Sequence, residues 1–75
     1  MQHYQNLGGD SGISAYEVSA DSITVQFKDG AVYLYNYAST GMTDIEEMKN
    51  LAANGRGLNA FISTTVKKRY AAKLR

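Results

Sequence analysis

The sequence predicts a small α+β domain in which a three-stranded antiparallel meander is followed by two helices packed on one face (β-β-β-α-α). Two observations predict this class. Apolar side chains alternate with polar ones over much of residues 13–37, which is the two-residue period of a strand. From residue 43 they recur every three or four positions, as in an amphipathic helix. With 75 residues, 44% of them hydrophobic and 20% charged, the composition is that of one globular domain.

The first twelve residues are interpreted as a flexible lead-in, and residues 13–75 as the domain. Gly8, Gly9 and Gly12 interrupt any period, and few apolar side chains are present there to hold the segment. The start also lacks the basic and apolar regions of a signal peptide.

Three strands are predicted over 13–19, 22–28 and 31–37. The second alternates most regularly, as the string SITVQFK shows. Asp29-Gly30 is a strong hairpin signal between the second and third strands. Short connections favour an antiparallel meander.

The first helix is predicted over residues 43–55. Thr43 and Glu46 have the spacing of a capping box, which would begin the helix, and Asn54-Gly55 is a typical stop.

A second helix is predicted from Leu58 onward. Its apolar stripe consists of Leu58, Phe61, Ile62, Thr65 and Val66. Arg69 and Lys73 fall where the centre of that stripe should continue. The helix is therefore expected to extend beyond the core by its last turn or two.

Tyr33, Tyr35 and Tyr37 stand at alternate positions of the third strand, so they should share one face. A two-residue Asp29-Gly30 loop would turn them outward as an aromatic platform. A three-residue loop over 28–30 would turn them into the core and expose Val32 and Leu34, because a one-residue change of register reverses the faces. Both loops suit the sequence, although aromatic residues at strand spacing more often lie in a core.

Charge is divided unevenly along the chain. Residues 1–47 hold seven acids against one base, and residues 48–75 hold seven bases and no acid. Five bases lie in the last nine residues: Lys67, Lys68, Arg69, Lys73 and Arg75. A basic helix end of this kind, together with Arg56, is typical of a surface that contacts phosphates, and we expect the ligand to be RNA. Tyr33 and Tyr35 would add base stacking if they faced outward.

The same asymmetry permits a second hypothesis, in which the chain binds a protein partner or itself. An acidic half and a basic end could pair between molecules, and the open edges of a three-stranded sheet invite strand addition. In this form the chain would modulate a larger nucleic-acid enzyme.

Several residues together resemble the KTSC domain, a small module named for the carboxyl end of some lysyl-tRNA synthetases and also found as a stand-alone bacterial or phage protein. Tyr33-Leu34-Tyr35 matches its central Y-x-Y motif. Gly55, Arg56, Asn59 and Ile62 match its later G-R-x-x-N-x-x-I segment. The likeness covers about residues 13–66 and implies a binding module, with RNA as the suggested ligand and the tyrosines facing inward.

The chain departs from that family at identifiable positions. Ala38-Ser39 stands where the family has valine-proline, and Ser63 and Val66 stand where it has a base and a tyrosine. A phosphate contact made by the family's base is therefore not transferred to Ser63.

Nothing in the sequence points to catalysis. His3 is the only histidine and lies in the lead-in, and the adjacent Glu46 and Glu47 would face different directions on a helix. We expect a non-enzymatic protein without a metal, cofactor or small-molecule substrate. The absence of cysteine and of any apolar run of about 18 residues predicts a cytoplasmic protein that does not cross a membrane.

Overall fold

An antiparallel sheet with helices against one face forms the framework of the computed structural model, which describes residues 1–7 and 12–75. In chain order the elements are β1 (Gln2–His3), β2 (Ile13–Ser19), β3 (Ser22–Phe27), β4 (Val32–Asn36), α1 (Tyr37–Thr40), α2 (Met42–Asn54), α3 (Leu58–Phe61), a π-helical turn (Ile62–Val66) and β5 (Ala72–Lys73).

The strands lie in the order β1-β2-β3-β4-β5, and every neighbouring pair is antiparallel. The predicted α+β class is confirmed, and the predicted three-stranded meander forms the centre of the sheet as β2–β4. The count of three strands is wrong, because a two-residue strand is added at each edge. Within the described residues, no helix is long and apolar enough to cross a bilayer.

The β3–β4 connection is the three-residue loop, Lys28 to Gly30. The Phe27 N–H donates to the Ala31 carbonyl at 2.8 Å, and the Gly30 N–H donates to the Phe27 carbonyl at 2.9 Å. Gly30 has φ +94°, a conformation that a residue without Cβ adopts at little cost. Val25 consequently pairs with Tyr33.

This register turns Tyr33 and Tyr35 toward the core, and Tyr35 is only 2% exposed. Tyr37 lies outside the strand, which ends at Asn36, and begins α1, where its ring is partly buried against the core. The expectation that Val32 would then be exposed is wrong. Val32 is 5% exposed because the chain after β5 lies beside it, where the Leu74 N–H donates to the Val32 carbonyl at 2.7 Å.

The capping box occurs one helix earlier than predicted. The Ser39 N–H donates to Asn36 Oδ1 at 2.8 Å, and the Asn36 N–H donates to Ser39 Oγ at 3.2 Å, which begins α1. Gly41 precedes α2 without a side-chain cap, so the predicted role of Thr43 is wrong. The predicted stop is confirmed: Gly55 adopts φ +74° after Asn54 and its N–H reaches the Leu51 and Ala52 carbonyls.

The second helix ends much earlier than predicted. After Val66 the backbone reverses at Lys67, which has φ +52°, and the chain returns to the sheet as β5. The Ala71 N–H donates to the Leu34 carbonyl at 2.7 Å. The predicted basic helix end is therefore wrong. In the extended tail, Tyr70 packs against Tyr33 and Tyr35. A helix that continued beyond its apolar stripe would have no apolar surface to pack against.

Residues 1–7 make backbone contacts with the rest of the domain, although most of their side chains are exposed. Gln2–His3 pairs with β2, and Tyr4 is 1% exposed with its hydroxyl accepting a hydrogen bond from the Leu58 N–H at 3.3 Å. The Leu7 N–H donates to the Gly55 carbonyl at 2.6 Å. The interpretation as a lead-in overlooked Tyr4 as a core residue. Gly8 and Gly9, on which it partly depended, lie outside the described residues.

Replacing Tyr4 with alanine should therefore lower the free energy of unfolding by about 3 kcal/mol or more, because a buried ring is lost from the core. Urea denaturation followed by circular dichroism measures this. Leu7→Ala is the matched control, since Leu7 is 57% exposed, and its effect should stay within about 0.5 kcal/mol. Equally small effects of the two substitutions on the free energy of unfolding would contradict the role of Tyr4 in the core.

Candidate functional site

The basic residues of the C-terminal segment are divided between the two ends of β4. Segment 69–75 runs antiparallel to β4, so that the Arg69 carbonyl meets Thr40 and the Arg75 backbone meets Val32. Arg69 and Arg75 therefore lie toward opposite ends of β4. The structure does not bring the five predicted bases into one cluster.

The side chain of Arg69 stabilises the chain reversal through hydrogen bonds. Its Nη1 donates to the Thr40 carbonyl at 2.8 Å, and its Nη2 donates to the Thr65 carbonyl at 3.2 Å and to the carboxylate of Asp44. Thr40 is 3% exposed, and its hydroxyl donates to the Arg69 carbonyl at 2.7 Å. Arg69 therefore anchors the tail, and its guanidinium already has three hydrogen-bond acceptors within the protein.

Lys67, Lys68 and Arg56 are exposed and lie at two other places on the surface. Lys67 and Lys68 stand at the reversal, next to Arg69. Arg56 lies in the turn between α2 and α3, beside Gly55, whose carbonyl holds the N-terminal segment. None of the three lines either of the clefts described below.

The β3–β4 hairpin carries two adjoining open clefts. The first, here called the aromatic cleft, has a volume of about 460 Å³ and is lined by Gly12, Phe27, Lys28, Asp29, Ala31 and Tyr33. Phe27 and Tyr33 are half-buried, and their rings meet edge to face with centroids 5.7 Å apart. Part of each ring therefore remains accessible beside a lysine.

The second, here called the cationic cleft, has a volume of about 420 Å³ and is lined by Asp29, Gly30, Ala31, Lys73 and Arg75. It shares the wall formed by Asp29 and Ala31 with the aromatic cleft. Lys73 connects the two, because its Nζ lies 5.8 Å from the centre of the Tyr33 ring. Tyr33 and Lys73 can meet because they are directly opposed between β4 and β5.

Three cations border these clefts: Lys28, Lys73 and Arg75. No carboxylate of the described residues lies within ion-pair distance of any of them. By contrast, Lys49 pairs with Glu46 at 2.9 Å and Arg69 pairs with Asp44. The hairpin end thus carries three cations that have no ion-pair partner among residues 1–7 and 12–75.

Of the predicted tyrosines, Tyr33 borders the cleft and Tyr35 does not. Tyr35 packs against Tyr70, with ring centroids 6.3 Å apart, and Tyr70 also lies 4.7 Å from Tyr33. Burial raises the pKa of the Tyr35 hydroxyl to about 12, and the neighbouring Tyr33 and Tyr70 add to this. Tyr35 is a core residue.

Tyr37 belongs to another network on the surface. Its hydroxyl donates to Glu46 Oε2 at 2.7 Å, and the Lys49 ammonium lies 5.6 Å from its ring centre. The hydrogen bond with Glu46 raises the pKa of Tyr37, and the same bond lowers the pKa of Glu46. The three tyrosines therefore do not form one platform.

Sequence reasoning missed Phe27, Lys28 and Asp29 as site residues. The signal available was the failure of the helical stripe at Arg69 and Lys73, which indicated that the helix had already ended. An extended tail beside β4 would then have placed Lys73 near the hairpin. Elsewhere, His3 is exposed in β1, and no three His, Cys, Asp or Glu side chains of residues 1–7 and 12–75 gather in a group that could hold a metal ion.

No family model, curated protein or solved structure matches this chain. The resemblance to the KTSC domain remains a prediction from sequence.

Stability should fall as the pH rises from about 10 to about 12. The Tyr35 hydroxyl has its ordinary pKa of 10.0 when the chain is unfolded, but burial raises this pKa to about 12 in the folded state. The folded state then holds more protons, so this one group lowers the free energy of unfolding by up to about 1.4 kcal/mol per pH unit. Urea unfolding at about pH 9 and pH 11 measures it. The decline should be shallower in Tyr35→Phe, and an unchanged decline would contradict the assignment.

Arg69→Gln should destabilise the fold by about 1–2 kcal/mol, because the Thr40 carbonyl and Asp44 lose a charged donor. The figure is modest because the Arg69 side chain is 45% exposed. Lys68→Gln removes the same charge from the neighbouring residue and should change stability by less than about 0.5 kcal/mol. Thermal unfolding of the two variants side by side gives the comparison, and equal melting temperatures would show that Arg69 is not an anchor.

Proposed function

We propose that this chain is a non-enzymatic binding module for single-stranded RNA, and that it binds at the paired clefts of the β3–β4 hairpin. The observation that carries the proposal is the contact of an aromatic cleft with a cationic cleft across one shared wall. A nucleotide likewise combines a flat aromatic base with a charged phosphate, and the sugar joins the two.

The aromatic cleft suits the base. Phe27 and Tyr33 present parts of two rings, and base–aromatic stacking contributes about 1–3 kcal/mol per base in proteins that bind single strands. The bases of a duplex are already stacked on one another, so their faces are not free. The cleft therefore favours single-stranded over double-stranded nucleic acid.

The cationic cleft suits the phosphates. Lys73 and Arg75 stand on one side of the shared wall, and Lys28 stands on the other. Cations without a carboxylate partner attract phosphate more strongly than paired ones, and phosphate contacts release counterions. The resemblance to a domain attached to lysyl-tRNA synthetases is what favours RNA over DNA, and membership of that family is part of the proposal.

A protein partner is the second candidate, and the opposite face of the sheet supports it. There Met1 and Leu74 are 58% and 56% exposed and border a cleft of about 450 Å³ beside Val32. Strand addition has less support, because the edge strands β1 and β5 have two residues each. Partner binding at that face should be abolished by Leu74→Asp and unaffected by Lys28→Gln with Lys73→Gln; Arg75 borders both this cleft and the cationic cleft, so it does not discriminate between them.

The RNA proposal is tested with two double variants of equal charge. Lys28→Gln with Lys73→Gln removes two cations from the clefts, whereas Lys67→Gln with Lys68→Gln removes two from the chain reversal. Fluorescence anisotropy of a labelled single-stranded RNA at about 50 and 200 mM salt measures the affinity and its salt dependence. The cleft variant should lower the slope of log K against log salt by about 1.4, since each phosphate contact on a single strand contributes about 0.7.

The reversal variant should retain most of the slope. Equal losses in both variants would show that binding follows overall charge rather than the clefts. An unaltered protein that does not bind RNA at about 50 mM salt would overturn the proposal.

A further inference from the structure

We infer that Asp29 makes the hairpin site select guanine among the bases of a single strand. The inference depends on the proposed function, because it concerns the base that enters the aromatic cleft. It starts from a feature that phosphate binding leaves unexplained: a carboxylate placed among three cations at the wall between the two clefts.

The Asp29 carboxylate is held in place by the loop. Its Oδ1 accepts a hydrogen bond from the Ala31 N–H at 2.9 Å. The side chain is exposed, and no cation of the described residues lies within ion-pair distance of it. An ionised carboxylate offers about four lone-pair positions, so both oxygens still have acceptor capacity for a ligand.

Guanine is the base whose hydrogen-bonding edge matches a carboxylate. Its N1–H and N2–H groups are adjacent and parallel, and a carboxylate can accept from both with its two oxygens. Such a charge-assisted bidentate pair is stronger than a neutral hydrogen bond and fixes the orientation of both partners. Adenine, cytosine and uracil each place an acceptor next to any donor on that edge, and the second carboxylate oxygen repels that acceptor.

The position of Asp29 agrees with this arrangement. A base stacked on Phe27 or Tyr33 in the aromatic cleft has the Asp29–Ala31 wall at its edge. The same wall borders Lys73 and Arg75, where the adjoining phosphate would lie. Base recognition and phosphate binding can then occur in one nucleotide without rearrangement of the hairpin.

The test uses four labelled oligouridines that differ only in the central nucleotide: guanosine, inosine, adenosine or uridine. Inosine lacks only the N2 amino group of guanosine, so it removes a single donor. The unaltered protein should bind the guanosine oligonucleotide about tenfold more tightly than the adenosine or uridine ones, within the range of a good bidentate contact. Its affinity for the inosine oligonucleotide should lie between these two affinities.

Asp29→Asn is the matched variant. Asparagine keeps an oxygen for the Ala31 N–H and suits a hairpin turn, but it replaces one acceptor with a donor and removes the charge. The guanosine preference should disappear, while affinity for the uridine oligonucleotide should be equal or higher because a negative charge near phosphates is gone. Urea unfolding of the variant confirms that the hairpin is intact.

The outcomes separate the two proposals. Equal affinity of the unaltered protein for all four oligonucleotides overturns guanine selection and leaves RNA binding standing. A preference that survives in Asp29→Asn overturns the role of Asp29. Absence of binding to every oligonucleotide at about 50 mM salt overturns both.

Discussion

The pairing of the C-terminal segment with β4 is the interaction on which the site depends. The Ala71 and Leu74 N–H groups donate to the Leu34 and Val32 carbonyls, and Arg69 holds the start of the segment against Thr40. Because this segment is extended, Tyr70 covers the tyrosines of β4, and Lys73 and Arg75 reach the hairpin. A continuous helix would have carried those two cations away from the sheet and left the aromatic cleft without them.

Some cations of the chain are paired with carboxylates within the fold, whereas those at the clefts have no such partner among the described residues. Arg69 binds Asp44 and the Thr40 carbonyl, and Lys49 binds Glu46 and the Ala20 carbonyl. The acidic and basic halves of the sequence thus partly neutralise each other within one molecule. What remains at the hairpin is a smaller, mixed group in which Asp29 stands among the cations.

Much of the fold was predictable where the signals are local. The alternation in β2–β4 and the glycine that ends α2 depend on a few adjacent residues, and these predictions are confirmed. The hairpin stayed ambiguous because Lys28-Asp29-Gly30 suits two loops, and only the pairing of Val25 with Tyr33 decides between them. The burial of Tyr4 could not be predicted from the sequence, because the residues that contact it, among them Tyr16 and Leu58, lie elsewhere in the chain. Of the site, Tyr33, Lys73 and Arg75 were named in advance, but not their neighbours.

The sequence by itself determined the class of the fold, the strands of the meander, the end of α2 and the surplus of cations near the C-terminus, because each follows from side-chain period or composition. Only the tertiary structure decided where those cations lie, that Tyr35 is a core residue, and that Asp29 borders one cleft with Phe27 and Lys28 and the adjoining cleft with Lys73. The physical reason is that the path after Val66 has no strong local preference. The extended path is stabilised by the burial of Tyr70 and by hydrogen bonds to the free edge of β4. Both interactions require partners more than thirty residues away in the chain.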